Sequence, residues 1–210
     1  MLLLIDKPIG ITSFDVIRKL RKELDIRKMG HAGTLDPLAS GLLIVATEAD
    51  TKKLDQFLKL PKTYEVAIRI GEKRDTGDLE GNIIETSEVG DISKEDVEKV
   101  MEGFVKVHRL LVPIYSAIKV QGKPLYWYAR NDVEVEVPEK DMEVTDIEFL
   151  SMGEENGFTT IHLSLAVTSG TYIRALAEEF GRQLGYPATT SALRRTTIGD
   201  YSVEDARALI

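Results

Sequence analysis

The 210-residue chain has no cysteine, one tryptophan and only three histidines. The lack of cysteine excludes disulfides and thiolate metal ligands. His31, His108 and His162 lie far apart in sequence, so no metal site is expected. The first apolar run, residues 2–5, ends at Asp6 and is too short for a signal peptide or a membrane span. We therefore expect a cytoplasmic protein with no membrane partner.

The net charge of −8 is distributed unevenly along the chain. Residues 72–102 carry −7 and residues 132–155 carry −9, which leaves +8 for the rest. The remaining basic residues are concentrated at Arg18, Lys19, Arg21, Lys22, Arg27 and Lys28, with Arg194 and Arg195 near the end. A basic face on an acidic protein can bind a polyanion, because the local potential steers association. Ordinary solvated helix faces would give the same pattern.

Runs of strands with helices between them, but without regular alternation, predict an α+β fold with a largely antiparallel sheet. Strands are predicted at 2–5, 42–47, 62–70, 83–86, 115–120, 133–137, 142–152 and 158–167, the last two joined by a hairpin at 154–157. Helices are predicted from Thr12 or Ser13 to Leu24, at 51–60, from Ser93 to before Pro113, and at 125–130, 169–185 and 203–210. We interpret residues 1–210 as a single domain.

Two of these helices are predicted from apolar residues expected to face the core. In the first, Phe14, Ile17, Leu20 and Leu24 recur at three- and four-residue spacing. In the second, the inward residues are Leu54, Phe57 and Leu58.

Residues 27–45, RKMGHAGTLDPLASGLLIV, form a glycine-rich loop followed by an apolar strand. Gly33 is one of three glycines that let another molecule approach the main chain closely. Pro37 favours an extended conformation for Asp36, so this side chain is expected to hold a defined pose. A well-built turn without chemistry explains the same residues.

The sequence leaves few options for catalysis other than a carboxylate. It contains no P-loop, dinucleotide fingerprint or nucleophilic-serine elbow, and a cysteine nucleophile is impossible. Asp36 is a candidate nucleophile, because carboxylates form covalent intermediates with sugar carbons. Arg174, at the start of a predicted helix, could keep Asp36 ionised in a bidentate pair, or could instead contact phosphate or form a surface ion pair. Tyr64, on the apolar face of its strand, is either a core residue or a platform for a base.

The chain resembles the TruB family of tRNA pseudouridine synthases over nearly its whole length. The motifs that carry the resemblance are, in chain order, DKPIGITSFDVIRKLR, GHAGTLDPLASGLL, KTYEVAIRIG, YSAIKVQGKPLYWYAR, SGTYIRALAEEFG and LRRTTIGDYS. The resemblance implies the pseudouridine synthase fold, a mixed sheet flanked by helices. It also implies that the T-loop uridine of tRNA, position 55, is flipped out, detached from its ribose, rotated and rejoined through carbon without a cofactor.

The resemblance also implies the roles of individual residues. Asp36 is the catalytic carboxylate, Tyr64 stacks on the flipped base and moves a proton, and Arg174 pairs with Asp36. Lys7 and Pro8 match a motif that supports the catalytic loop. The substrate-binding residues are His31, which shapes the space left by the base, Leu193, which packs near the base, and Gly33, Lys62 and Arg194.

The sequence departs from the family pattern at Ala32, Ser40 and Arg74, where threonine is common. It ends at Ile210, where many relatives continue into a small RNA-binding PUA domain. We therefore expect weaker tRNA affinity and greater reliance on the T-arm. Separately, we expect a monomer. Two alternatives stay open: a non-catalytic RNA-binding or tRNA-folding module, and an enzyme guided to ribosomal sites by accessory proteins.

Overall fold

The computed structural model describes residues 1–209, which contacts between residues divide into two compact units. The first unit contains Met1–Val66, Ser164–Gly170 and the chain from Ala192 onward. The second contains Ala67–Leu163 and Thr171–Ser191. The single domain over 1–210 stays a prediction.

Five α-helices are present in the described chain. They are α1 (Ser13–Leu24), α2 (Leu54–Leu58), α3 (Lys94–Glu102), α4 (Leu125–Arg130) and α5 (Ile173–Leu184). Single 3-10 segments occupy Glu48–Lys53 and Val203–Asp205. None of the helices formed by residues 1–209 is long and apolar enough to cross a membrane.

Fourteen strands, several of them only two residues long, complete the described chain. They are β1 (Leu2–Lys7), β2 (Met29–Ala32), β3 (Ala39–Thr47), β4 (Lys62–Ile70), β5 (Glu72–Arg74), β6 (Ile83–Thr86), β7 (Val107–Leu111), β8 (Lys119–Val120), β9 (Lys123–Pro124), β10 (Glu139–Glu155), β11 (Phe158–Val167), β12 (Ala188–Ile198), β13 (Tyr201–Ser202) and β14 (Arg207–Ala208). β1 with β3 and β10 with β7 are antiparallel, whereas β1 with β14 and β12 with β3 are parallel. The predicted α+β class with a mixed, mainly antiparallel sheet is confirmed.

In the first unit the strand order is β14–β1–β3–β12, and β2 pairs with β3. The central strand β3 is buried on both faces, which explains its continuous apolar run. On one face, Leu43 and Val45 pack in a cluster with Ile17 of α1. On the other, Leu42 and Ile44 pack in a cluster with buried residues that include Phe57 and Ile198.

Helix α1 begins and ends where the sequence predicts. Thr12 and Asp15 form a capping box, with the Asp15 N–H donating to Thr12 Oγ1 at 3.1 Å and the Thr12 N–H donating to Asp15 Oδ2 at 2.8 Å. The helix ends at Asp25, whose φ of 51° is left-handed. The prediction that Phe14 faces the core is wrong, because its side chain is 56% exposed.

In the second unit the strand order is β4–β11–β10–β7, with β4 belonging to this unit from Ala67 onward and β11 up to Leu163. The predicted hairpin between β10 and β11 is confirmed, and Asn156 and Gly157 adopt the positive φ values, 51° and 78°, that a tight hairpin turn requires. The ring of Phe104, which follows α3, meets the ring of Phe180 on α5 edge to face, with the ring centroids 5.2 Å apart.

Several predicted elements differ from the structure, and in one of them long-range pairing is the cause. The helix predicted at 203–210 is wrong: after one 3-10 turn, Arg207 and Ala208 pair with Ile5 and Asp6 of β1, and Ile210 lies outside the described residues. The strand predicted at 133–137 is absent from the described structure, and only Lys119–Val120 remains of the one predicted at 115–120.

Other differences concern strands that the sequence did not predict and helices that are shorter than predicted. Helix α3 ends at Glu102 and not just before Pro113, and α5 begins at Ile173 and not at residues 169–171. Strands β2, β5, β7 and β12 fall in segments interpreted as loop, turn or helix end. The helix expected at 51–60 reduces to Leu54–Leu58, and Leu58 is exposed and not inward.

Candidate active site

Asp36 lies half-buried in the turn between β2 and β3, and its neighbours in this turn are hydrogen-bonded to the start of α1 and to the segment before it. Ser13 Oγ accepts a hydrogen bond from the Leu35 N–H at 2.9 Å and donates to the Leu35 carbonyl at 3.1 Å. The Gly10 N–H donates to the Pro37 carbonyl at 2.8 Å. The residues on both sides of Asp36 are therefore anchored, which gives its carboxylate a defined backbone position.

The segment that anchors the turn is itself organised by Lys7. This side chain is fully buried, and its Nζ donates to the carbonyls of Pro8 at 2.9 Å and Ile11 at 2.7 Å. A buried ammonium needs such partners to offset the loss of its hydration. The contacts support the structural role that the resemblance implies for Lys7 and Pro8.

Arg195, on β12, is the main contributor to this region that sequence reasoning missed. Its side chain is 1% exposed, its Nε donates to the Leu42 carbonyl at 2.8 Å, and its Nη2 donates to the Gly33 carbonyl at 3.0 Å. It therefore holds main-chain groups on both sides of the Asp36 turn. At Gly41, which has a φ of 103°, a Cβ atom would lie 2.2 Å from the Arg195 carbonyl oxygen, so only glycine permits this approach of β3 to β12.

Lys62 is also buried, and it lies beside Arg195. Its Nζ donates to the carbonyls of Leu58 at 3.0 Å and Leu60 at 2.7 Å. Burial, together with the nearby charge of Arg195, lowers the pKa of Lys62 to about 8. The same two causes lower the pKa of His31, whose Nδ1 has no hydrogen-bond partner within residues 1–209.

Gly33 is the residue of the turn that the side chains of Arg195 and Lys62 approach. A Cβ atom there would lie 3.2 Å from Arg195 Nη1 and 3.7 Å from Lys62 Cε, and the φ of Gly33 is 75°. Gly33, Lys62 and Arg195 are therefore direct neighbours. The predicted substrate-binding role of Gly33 and Lys62 stays a prediction, while their structural role is visible in these contacts.

Leu193 and Arg194 lie on β12 next to the start of β3. The parallel register places Leu193 opposite Ala39 and Arg194 opposite Ser40. Arg194 is 37% exposed and forms a bidentate pair with Asp6, at 3.0 and 2.8 Å, which raises its pKa. If Arg194 contacts RNA as predicted, the RNA and Asp6 must bind the same guanidinium group.

Tyr64 is buried on β4, in the same unit as Asp36. The preceding residue, Thr63, is tied to β12, since Thr197 Oγ1 donates to Thr63 Oγ1 at 2.9 Å and Thr196 Oγ1 donates to the Thr63 carbonyl at 3.2 Å. The strand that carries Tyr64 is thus held rigidly. Its burial agrees with both interpretations of the ring, as a core residue or as a platform for a base.

Arg174 belongs to the second unit, where it occupies the first turn of α5 with its side chain buried. Its Nη1 donates to the Thr76 carbonyl at 2.5 Å and lies 3.7 Å from Asp78 Oδ2, while its Nη2 donates to the Tyr115 carbonyl at 3.0 Å. The guanidinium is therefore oriented by its own unit. Its pairing with Asp36 stays a prediction.

The second unit also contains two cavities, of about 600 and 830 Å³, and none of the eight predicted site residues lines either of them. The smaller is lined by charges of both signs, including Lys73 and Glu178, and the larger by acidic residues around Tyr115 and Tyr128. Within residues 1–209, no group of three or more His, Cys, Asp or Glu side chains is placed to hold a metal ion.

Comparison with known proteins identifies the class to which this fold and turn belong. Residues 21–173 match the model of the TruB family pseudouridylate synthase N-terminal domain. The chain therefore belongs to the TruB family of pseudouridylate synthases, as the sequence motifs predict.

Individual relatives support the same assignment. The chain is 42% identical to tRNA pseudouridine synthase B of Desulfotalea psychrophila over 205 residues, which cover 97% of this chain and 83% of that protein. It is 41% identical to tRNA pseudouridine synthase B of Bacillus subtilis, of which it covers 66%.

Solved structures confirm the fold of the family. The chain is similar to one in an H/ACA RNP bound to a substrate RNA containing 2′-deoxyuridine, with a TM-score of 0.73, 26% identity and coverage of 99% of this chain and 50% of that one. It is also similar to one in a Cbf5–Nop10–Gar1 complex, with a TM-score of 0.74, 27% identity and coverage of 99% and 52%.

Proposed function

We propose that this protein is a tRNA pseudouridine synthase that isomerises the uridine at position 55 in the T-loop. The observation that carries the proposal is the anchoring of the Asp36 turn by Ser13, Gly10 and Arg195. A turn without chemistry has no need for three such contacts that fix the backbone on both sides of a half-buried carboxylate. Family membership and relatives named tRNA pseudouridine synthase B supply the reaction and its substrate.

The proposed reaction exchanges one bond of the sugar for another. The base first leaves the stack, because its glycosidic bond is inaccessible inside folded RNA. The bond between C1′ and N1 breaks while Asp36 attacks or stabilises the sugar–base unit. The uracil then rotates, a bond between C1′ and C5 forms, the C5 proton leaves and N1 gains a proton. The product has the same atoms as the substrate, so the reaction needs no redox partner.

In this proposal the other site residues bind the base, move a proton or keep the Asp36 carboxylate ionised. Tyr64 stacks on the flipped base and moves a proton, and Arg174 keeps Asp36 ionised through a charge-assisted pair. His31 and Leu193 shape the space around the base. Lys62, Arg194 and Gly33 complete the substrate-binding set, with Gly33 leaving room at the main chain.

The decisive experiment is incubation of unmodified tRNA with the protein and mapping of pseudouridine by position. We expect Asp36→Asn to lower the rate at least about a thousandfold, because loss of a nucleophile leaves only binding and orientation. Asp200→Asn removes an exposed carboxylate from the same unit and should leave the rate unchanged. Equal activity of Asp36→Asn and the wild type would remove Asp36 from the chemistry, and a wild type that binds tRNA without forming pseudouridine would favour the non-catalytic module.

The finer features of the partner belong to the same proposal. We propose that the T-arm stem-loop is sufficient as substrate, that the protein acts as a monomer, and that it acts in the cytoplasm. Turnover of an isolated T-arm stem-loop, compared with full tRNA, tests the first point. Sedimentation of the protein with and without RNA tests the second.

A further inference from the structure

An exposed aromatic residue follows directly after Ser13, the residue that anchors the turn carrying Asp36. Phe14 is 56% exposed although it follows the buried Ser13 in α1, and Ile9, in the preceding segment, is 64% exposed. A single exposed apolar residue needs no explanation. The location of Phe14, directly after the residue that anchors the Asp36 turn, does need an explanation.

Phe14 is connected to the catalytic turn through one pair of hydrogen-bonded residues. Ser13 exchanges two hydrogen bonds with Leu35, Phe14 follows Ser13, and Asp36 follows Leu35. All four residues lie in the first unit. An RNA strand that brings a uridine to Asp36 therefore has its neighbouring nucleotides close to the start of α1.

The ring is flanked by cations on the same helix face. The guanidinium carbons of Arg18 and Arg21 each lie 5.8 Å from the centre of the Phe14 ring, within the range of a cation–π interaction. Arg18 also pairs with Asp15, and Arg21 donates to the Met29 carbonyl at 3.3 Å. These contacts hold the two guanidinium groups beside the ring, so the aromatic face is bordered by positive charge.

Further exposed cations extend this surface along and beyond the helix. They are Lys19, Lys22, Arg27 and Lys28. A second copy of the chain is a poor occupant, because a symmetric contact through this face would bring like charges together. An RNA strand is complementary, since its phosphates meet the cations and its unpaired bases can stack on the ring.

We propose that Phe14 is a stacking platform for an unpaired base next to the reacting uridine, and that Arg18 and Arg21 border that base. The proposal rests on the proposed function, because it takes the RNA substrate as the occupant. Phe14 is a binding residue here and has no part in the chemical step.

The test measures binding and turnover separately for two substitutions that differ only in the ring. Phe14→Leu keeps an apolar side chain without a ring, and Phe14→Tyr keeps the ring. Affinity for an unmodified T-arm stem-loop is measured in an Asp36→Asn background, so that the RNA is not converted. We expect Phe14→Leu to weaken binding at least about fivefold and Phe14→Tyr to bind within about twofold of the parent.

Controls separate stacking from other causes. Leu58→Ala truncates another exposed apolar residue of the first unit and should bind like the parent. With Asp36 restored, Phe14→Leu should raise KM and leave kcat at saturating RNA unchanged. Thermal unfolding of all variants should match the parent, since Phe14 is exposed.

Each outcome decides the proposal. Equal binding by the parent, Phe14→Leu and Phe14→Tyr would overturn it, and so would equal weakening by both substitutions, since the ring would then be irrelevant. Self-association that is lost in Phe14→Leu would show that a protein surface occupies the ring instead. If Phe14→Leu weakens binding as expected but the wild-type protein, with Asp36 intact, forms no pseudouridine, the result would support this inference while refuting the proposed function.

Discussion

The first unit contains two sets of basic residues that have opposite surroundings. The buried set, Lys7, Lys62 and Arg195, lies around the Asp36 turn, and each of these side chains donates two hydrogen bonds to main-chain carbonyl groups. The surface set, Arg18, Lys19, Lys22, Arg27 and Lys28, is exposed to solvent on and after α1.

The difference shows that a basic residue near a site can either stabilise the backbone or attract a polyanion, depending on whether its charge is buried or hydrated. A buried cation has lost its water and must be held by acceptors, so it fixes the backbone that supplies them. An exposed cation keeps its water and acts at a distance on a polyanion. The buried set should therefore control stability and the position of Asp36, and the surface set should control RNA capture.

Arg195→Leu should produce the largest loss of stability. It removes the donor to the buried Leu42 carbonyl and to the partly buried Gly33 carbonyl, and a buried group left unsatisfied costs about 1–3 kcal/mol. We expect urea unfolding to show a loss of about 2–5 kcal/mol.

The matched control is the neighbouring residue. Arg194→Leu removes a half-exposed pair with Asp6, so its cost should not exceed about 1 kcal/mol. If the two substitutions cost the same, Arg195 is not the support that its contacts indicate.

Ser13→Ala should have a smaller effect on stability but a specific effect on catalysis. It removes both hydrogen bonds to Leu35, and we expect a loss of about 1–2 kcal/mol in the free energy of unfolding together with a lower kcat. Ser93→Ala removes the N-cap of α3 and should cost about 1 kcal/mol without changing kcat. Parallel changes in kcat for both variants would mean that the Ser13 effect is general destabilisation.

Lys62 should make stability depend on pH. Burial lowers its pKa to about 8 from an ordinary value of 10.5, so between these values the unfolded chain keeps a proton that the folded chain loses. The free energy of unfolding should therefore rise from pH 8 to 10.5, by at most about 1.4 kcal/mol per pH unit, and the cost of the buried charge is complete below pH 8.

Urea unfolding at several pH values measures this contribution as the difference between the wild type and Lys62→Met. The exposed Lys59→Met should retain the wild-type slope. An unchanged slope in Lys62→Met would assign the pH dependence to another group.

The elements that the sequence predicted well are those whose ends are determined locally. The N-caps Thr12 and Ser93 and the left-handed Gly185 set helix ends through neighbouring residues, and the hairpin at Asn156–Gly157 is a local turn. By contrast, β12 and β14 exist because of partners far along the chain, which periodicity does not reveal.

For the candidate site, the sequence predicted the local shape of the turn, while the roles of its residues stay proposals. The family motifs identify Asp36 and the turn that carries it, and the proline and glycines of the turn explain its shape. They do not distinguish Arg194 from Arg195, because neighbouring residues of the same type differ only in which face of β12 they occupy. The prediction for Phe14 was wrong because this residue lies at the end of the apolar stripe of α1. It fits the three- and four-residue spacing of the stripe, but its side chain is exposed.

The smallest change in stability should come from the surface set. Lys19→Glu with Lys22→Glu alters two exposed side chains, and we expect the free energy of unfolding to stay within about 0.5 kcal/mol of the wild type. RNA affinity should nevertheless fall, and the magnitude of the slope of log affinity against log salt should decrease by about 0.7–0.9 for each phosphate that the variant no longer neutralises.

The control variant, Glu95→Lys with Glu98→Lys, makes the opposite change of charge at exposed positions of α3 in the second unit, and should not weaken RNA binding. A double Lys→Glu variant that unfolds more easily but binds RNA with an unchanged salt slope would reverse the roles given to the two sets, because its lysines would then support the fold and not the capture of RNA.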